Sequence, residues 1–171
     1  MVLSIYTRQQ RLAKSWQKRN KMRLLLALSI WAFAFLGFSQ NETLDQLINK
    51  WHQDAASAAF SAYFNVTSSE FIFLGTAPEE RWNKNDFQMF CKPYFDKEAA
   101  WDFKPSNRKW NYSKDGNTAW FDEDLETWME DCRGTGICVK VGADWKIAYY
   151  NLHVLIENEK IQEFITLRKK K

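Results

Sequence analysis

Apolar positions follow a helical rhythm in the first half of the chain and a strand rhythm in the second. After Asn41-Glu-Thr43, Leu44, Leu47, Ile48, Trp51, Ala55, Ala58 and Ala62 recur at helical spacing, and a second stripe follows His52, Ala56, Phe60 and Phe64. Two stripes at this period predict one long helix up to Asn65, covered on two sides, as it would be in the mouth of a curved sheet. Phe71 to Leu74 reads as a short buried strand before Gly75, and Gly75 to Trp82 as a loop. Asn83 is placed to cap a second helix, with Asp86 in its first turn and Phe87, Phe90, Cys91 and Tyr94 along it; Pro93 lacks a backbone donor and is expected to kink or stop it.

Alternation takes over from there. Trp101 to Lys104 and Arg108 to Ser113 read as two strands, and Lys114-Asp-Gly-Asn117 as the turn into the longest alternating stretch, Thr118 to Leu155. That stretch predicts three long strands: one from Thr118, one from about Cys132 to Val141 and one from about Trp145 to Ile156, the last two joined by Gly142-Ala143-Asp144. Pleating puts Trp120, Asp122, Asp124, Glu126 and Trp128 on one face of the first strand, and Phe121, Glu123, Leu125 and Thr127 on the other. Taking Trp120 as inward points Asp122 and Asp124 into the interior. It leaves Phe121, Leu125, Ile137, Val139, Tyr149 and Asn151 for the outer face. A short helix follows from Asn158 through Ile161, Phe164 and Ile165. Helix, strand, helix and then antiparallel strands is an α+β layout with helices on one face of a sheet.

Charge changes this picture at the N-terminus. Seven of the 24 Lys and Arg lie in residues 1–40, with no acid among them, which leaves 17 basic against 21 acidic residues in the rest. An acidic body argues against nucleic acid or an anionic lipid surface as a partner. Leu24 to Phe38 is an uncharged apolar run behind Lys21 and Arg23, the pattern of a signal peptide, with cleavage expected between Ser39 and Gln40 and Met22 as an alternative start. The expected division is therefore a leader over 1–39 and one domain over 40–171, exported to the periplasm or the outside and without a stable membrane anchor. The competing reading is an N-terminal anchor, for which the run falls short of the ~20 apolar residues of a spanning helix. Cys91, Cys132 and Cys138 form neither a disulfide framework nor a metal cluster. Cys132 and Cys138 share one strand and cannot pair, Cys91 could bridge to either, and small buried hydrophobes are the simpler reading.

WHQDAASAAFSAYF in the first helix, FLGTAPEERW after the first strand, KPYFDK after the second helix, and AWFDEDLETW, CRGTGICVK and WKIAYYNL in the sheet together resemble a SnoaL-like protein of the nuclear transport factor 2-like superfamily. The resemblance covers roughly Thr43 to Ile156. It implies a cone: a strongly curved, mostly antiparallel sheet half closed by the N-terminal helices, with a deep pocket between them and frequent homodimers. It implies no particular activity, because the superfamily holds cyclases, isomerases, dehydratases and proteins without known chemistry. One departure is Ala77 in GTAPEERW, where relatives commonly carry an acid.

Within that frame Asp122 is the candidate general base, since a carboxylate among aromatic groups has its pKa raised and can move a proton. His52 and Tyr150 are its candidate partners, though His52 reads equally as a core histidine satisfied by a neighbouring hydrogen bond. His52, Trp82, Trp120, Asp122, Asp124, Tyr150 and Leu152 are the expected pocket lining. Arg81 is read as a partner for Glu80, and His153 as an outer-face residue. No cofactor or metal is expected, since there is no Gly-rich phosphate loop, nucleophile elbow or ligand cluster. Three functions stay open: an exported, non-catalytic pocket for a small, partly apolar molecule; a cofactor-independent acid–base enzyme; and a homodimeric module of the cell envelope docking through the outer sheet face.

Overall fold

The computed structural model describes residues 41–97 and 100–169. The expected leader, its cleavage point and the boundary after residue 39 lie outside the described residues. Among the described residues no helix is long and apolar enough to cross a membrane.

Helix α1 occupies residues 41–56, and its apolar stripe Leu44, Ile48, Trp51 and Ala55 is buried. The expected single long helix is broken after it. Ala58 takes a φ of 53°, a left-handed conformation that ends an α-helix, and a separate α2, Phe60–Asn65, follows. The break falls in ASAA, where no bulky side chain holds the helix against a neighbour.

Strand β1, Thr67–Leu74, begins four residues earlier than its apolar core suggests. The loop after it ends in a short strand β2, Arg81–Asn83. Helix α3, Lys84–Phe95, is capped by the Asn83 side chain, which accepts the Asp86 N–H at 3.0 Å. Pro93 does not stop it, for α3 runs two residues further. The two strands expected between 101 and 113 are one, β3, Lys104–Tyr112. Then come β4, Thr118–Thr127, β5, Glu130–Val141, and β6, Asp144–Val154. A 3-10 turn, Asn158–Lys160, leads into α4, Ile161–Lys169.

The six strands form one curved sheet in the order β2-β1-β6-β5-β4-β3, antiparallel except where β1 runs parallel to β6. The architecture is α+β, with the core on the inner face of the sheet beneath α1, α2 and α3. Rings dominate that core. Trp51 stacks on Tyr63 with centroids 4.8 Å apart and meets Tyr150 edge-on at the same distance.

Register is where sequence and structure part. On β4 the buried residues are Ala119, Phe121, Glu123 and Leu125, whereas Trp120 is 44% exposed and Asp122 faces solvent. The expected inward set is therefore the outer one. Phe121 and Leu125 belong to the core and not to the outer face, where Ile137, Val139, Tyr149 and Asn151 do lie. The reason is additive: this register buries Ala119, Phe121 and Leu125 together, and a shift by one residue exchanges the whole strand.

Candidate functional site

Facing the sheet inward puts Glu123 in the interior, with no exposure at all. An uncompensated carboxylate there would be prohibitive, and four donated hydrogen bonds compensate it. Oε1 accepts from His52 Nε2 at 2.8 Å and from the Tyr150 hydroxyl at 2.9 Å, while Oε2 accepts from Arg108 Nε at 2.9 Å and Nη2 at 2.6 Å. Since a carboxylate only accepts, Nε2 of His52 carries a proton.

Each partner has a local cause. Arg108 reaches Glu123 because β3 carries a bulge: Ser106 pairs with Asp124 and Lys109 with Asp122, which leaves Asn107 and Arg108 opposite Glu123 alone. The extra residue, Asn107, has a φ of 53° and ties its side chain to Asp124 at 3.0 Å. Turning the strand there brings Arg108 to the inner face with Trp110. The guanidinium continues to α1, donating to Asp45 Oδ1 at 2.8 Å and Asn49 Oδ1 at 2.9 Å, and Trp110 Nε1 donates to the same Asp45 oxygen at 2.9 Å. Tyr150 has space because β5 presents small residues inward, Cys132, Gly134, Gly136 and Cys138.

Burial raises the Glu123 carboxyl, but the His52 hydrogen bond and charge together with Arg108 outweigh it, so its pKa lies below the usual value. The Tyr150 phenol is pushed well up, first by burial and then by the Glu123 charge it faces. The constellation is thus an ionised carboxylate with every acceptor position filled, held under a phenol that keeps its proton.

The cavity lies elsewhere. A half-open space of about 440 Å³ is enclosed by the 75–80 loop, β2, α3, the 100–103 segment and the 128–129 turn. Among the described residues eight rings line it, Phe73, Trp82, Phe87, Phe90, Tyr94, Trp101, Phe103 and Trp128, along with Met129, Leu152 and one carboxylate, that of Glu80. Phe73 forms the partition. It stacks on Phe87 at 4.0 Å on the cavity side and lies 5.8 Å from the Tyr150 ring behind it. Neither Glu123, His52, Tyr150 nor Arg108 lines the cavity.

Of the expected lining residues, Trp82 and Leu152 face the cavity, while His52 and Tyr150 are brought together 2.8 and 2.9 Å from Glu123 behind the partition. The assignments of Trp120, Asp122 and Asp124 to the pocket are corrected, because the β4 register turns all three outward; Asp124 pairs there with Arg133 at 3.1 Å. Glu80 is not paired with Arg81 in any ion pair among the described residues. His153 is exposed on the outer face beside Asn151, at 3.2 Å. All three cysteines are free and buried, and among the described residues no group of His, Cys, Asp and Glu could hold a metal.

Sequence reasoning missed Glu123, Arg108 and most of the ring lining. A signal for Glu123 existed, its position between Phe121 and Leu125 in strict alternation. Along α3, Cys91 and Phe95 are buried away from the cavity, Phe87 is buried at its wall, and Phe90 and Tyr94 line it further out.

A family model described as a SnoaL-like domain matches residues 44–157. The fold is similar to that of an NTF2-like protein of unknown function from Pseudomonas putida KT2440, with a TM-score of 0.60 at 11% identity, over 72% of this chain and 92% of that one. It is also similar to an NTF-2 like protein from Shewanella oneidensis MR-1, with a TM-score of 0.55 at 15% identity over 67% and 99% of the two chains. A candidate scytalone dehydratase from Novosphingobium aromaticivorans scores 0.57 at 10% identity over 70% and 87%. No curated protein matches.

Proposed function

Because the chain belongs to the SnoaL-like domain family, whose fold carries pockets with and without chemistry, we propose that it is a non-catalytic binding protein for a small, partly apolar molecule. One observation carries this reading: the half-open cavity beneath α3 is lined by rings, and the buried acid–base constellation around Glu123 is saturated and lies behind Phe73. A general base must reach the proton it removes, and Glu123 has no free acceptor position to offer. The alternative, a cofactor-independent isomerase, dehydratase or cyclase, draws on His52, Tyr150 and a carboxylate meeting at hydrogen-bond distance; that carboxylate is Glu123, not Asp122.

Ligand binding stabilises a folded protein by mass action. A thermal-shift screen of small aromatic and alicyclic molecules is expected to raise the melting temperature, and Trp82→Ala to abolish the shift. A thorough screen without a stabiliser counts against the reading, and turnover that Glu123→Gln abolishes while the fold persists would replace it with the enzyme.

Two further parts of the proposal concern where the protein works. Export with cleavage between Ser39 and Gln40 is supported by the apolar run Leu24 to Phe38 behind a basic segment; N-terminal sequencing of protein recovered outside the cytoplasm tests it. A homodimer through the outer sheet face is supported by the cross-strand row Trp120, Ile137 and Tyr149, of which Trp120 and Ile137 are exposed. A clean monomer in sedimentation at high concentration removes the dimer.

A further inference from the structure

Among the described residues, the cavity has eight rings, one carboxylate and no Lys, Arg or His in its wall. We infer that its ligand is a small organic cation, an amine or quaternary ammonium carried on an apolar body, with Glu80 as counter-ion. This rests on the cavity being the ligand site, as proposed above.

The face of an aromatic ring is negative, so a cation set among several rings is attracted to each of them. Rings alone would also take a neutral hydrocarbon. Glu80 decides the charge, because a carboxylate in a half-closed apolar space favours a cation and repels an anion.

Glu80 is built in. Its Oε2 accepts the Ala77 N–H at 3.0 Å, and its backbone carbonyl accepts the Gly75 N–H at 2.9 Å, so the loop curls around the carboxylate. The space for it comes from Gly75, where a Cβ would fall 2.2 Å from Oε2. Only one carboxylate oxygen is used in this way. Oε1 has no hydrogen-bond or ion-pair partner among the described residues, although Arg81 is the next residue in the chain. Glu80 directly precedes β2 and lines the same cavity as Trp82, whose indole stacks on Phe90 at 4.5 Å, so the acid and the stacked pair border one space. The rim is open to an entering ligand, Trp128 being 81% and Tyr94 46% exposed.

The test holds the apolar body constant and varies the head. The full chain is titrated calorimetrically at neutral pH with phenylbutylamine, phenylbutanol and phenylbutyrate. The amine is expected to bind about ten-fold tighter than the alcohol, and the acid more weakly than either. Glu80→Gln keeps an acceptor for the Ala77 N–H and should erase the advantage of the amine, bringing the ratio of amine to alcohol affinity close to one. Amine and alcohol binding equally, or the acid binding best, overturns the cation while leaving the ligand site standing. If none of the three binds, both readings fall. The wild-type order decides even if the variant does not fold.

Discussion

A Cβ placed on Gly134 would lie 2.1 Å from the hydroxyl oxygen of Tyr150 and 3.1 Å from Oε1 of Glu123, so the glycine is the space in which the phenol donates to the carboxylate. Gly134→Ala is expected to destabilise by about 1–3 kcal/mol, the usual cost of forcing a side chain from a packed position. Tyr150→Phe removes the nearest of the conflicting atoms and leaves the ring carbon Cζ, 2.8 Å from that Cβ. The double variant should therefore be more stable than the sum of the single losses, and a double-mutant cycle from urea unfolding measures that coupling.

Glu123→Gln replaces a carboxylate that accepts four hydrogen bonds with an amide whose NH₂ must face either Arg108 or the His52 and Tyr150 donors. Breaking a buried charge pair in this way costs about 3–5 kcal/mol, read as a fall in the urea midpoint at neutral pH.

Acid should act through the same residue. The Glu123 pKa in the folded chain lies below its ordinary 4.5, so the unfolded chain binds that proton more readily, and the stabilisation is complete above 4.5 and lost as pH falls through the folded value. Asp124, held down by Asn107 and Arg133, acts in the same direction. The difference between wild type and Glu123→Gln isolates the buried group: unfolding followed from neutral pH to below 4.5 should show a shallower acid loss in the variant.

Asp122→Asn is expected to be nearly silent, within about 0.5 kcal/mol, as for other surface substitutions. Asp122 faces solvent between Lys109 and Thr135. A loss of several kcal/mol in chemical denaturation would mean that the outward register of β4 is wrong.

The thiols should be silent in the native protein. All three cysteines are buried, and burial pushes Cys138 up to about 12 and Cys91 higher still. Since the thiolate is the reactive form, a disulfide reagent should label none of them until the chain unfolds, and then all three.

The sequence by itself determined what local chemistry controls. Asn83 capped α3 as its side chain and the Asp86 spacing require, and the hairpin at Gly142 turned with a φ of 66° where the run of small and polar residues predicts it. Alternation from Thr118 to Val154 specified three paired strands, and the order of helices and strands specified an α+β sheet. Periodicity yields two faces for each strand but does not say which is inside. Tertiary structure decided that, because the choice for β4 depends on partners 71, 27 and 15 residues from Glu123 in the chain, His52, Tyr150 and Arg108. A carboxylate facing inward is prohibitive until those donors arrive, and the bulge at Asn107 that delivers one of them leaves no mark in the alternation. The cavity is decided in the same way. Phe90 and Tyr94 are helical rings like Phe87, and only the packing of α3 against β1 and β2 leaves them facing open space with Glu80 among them.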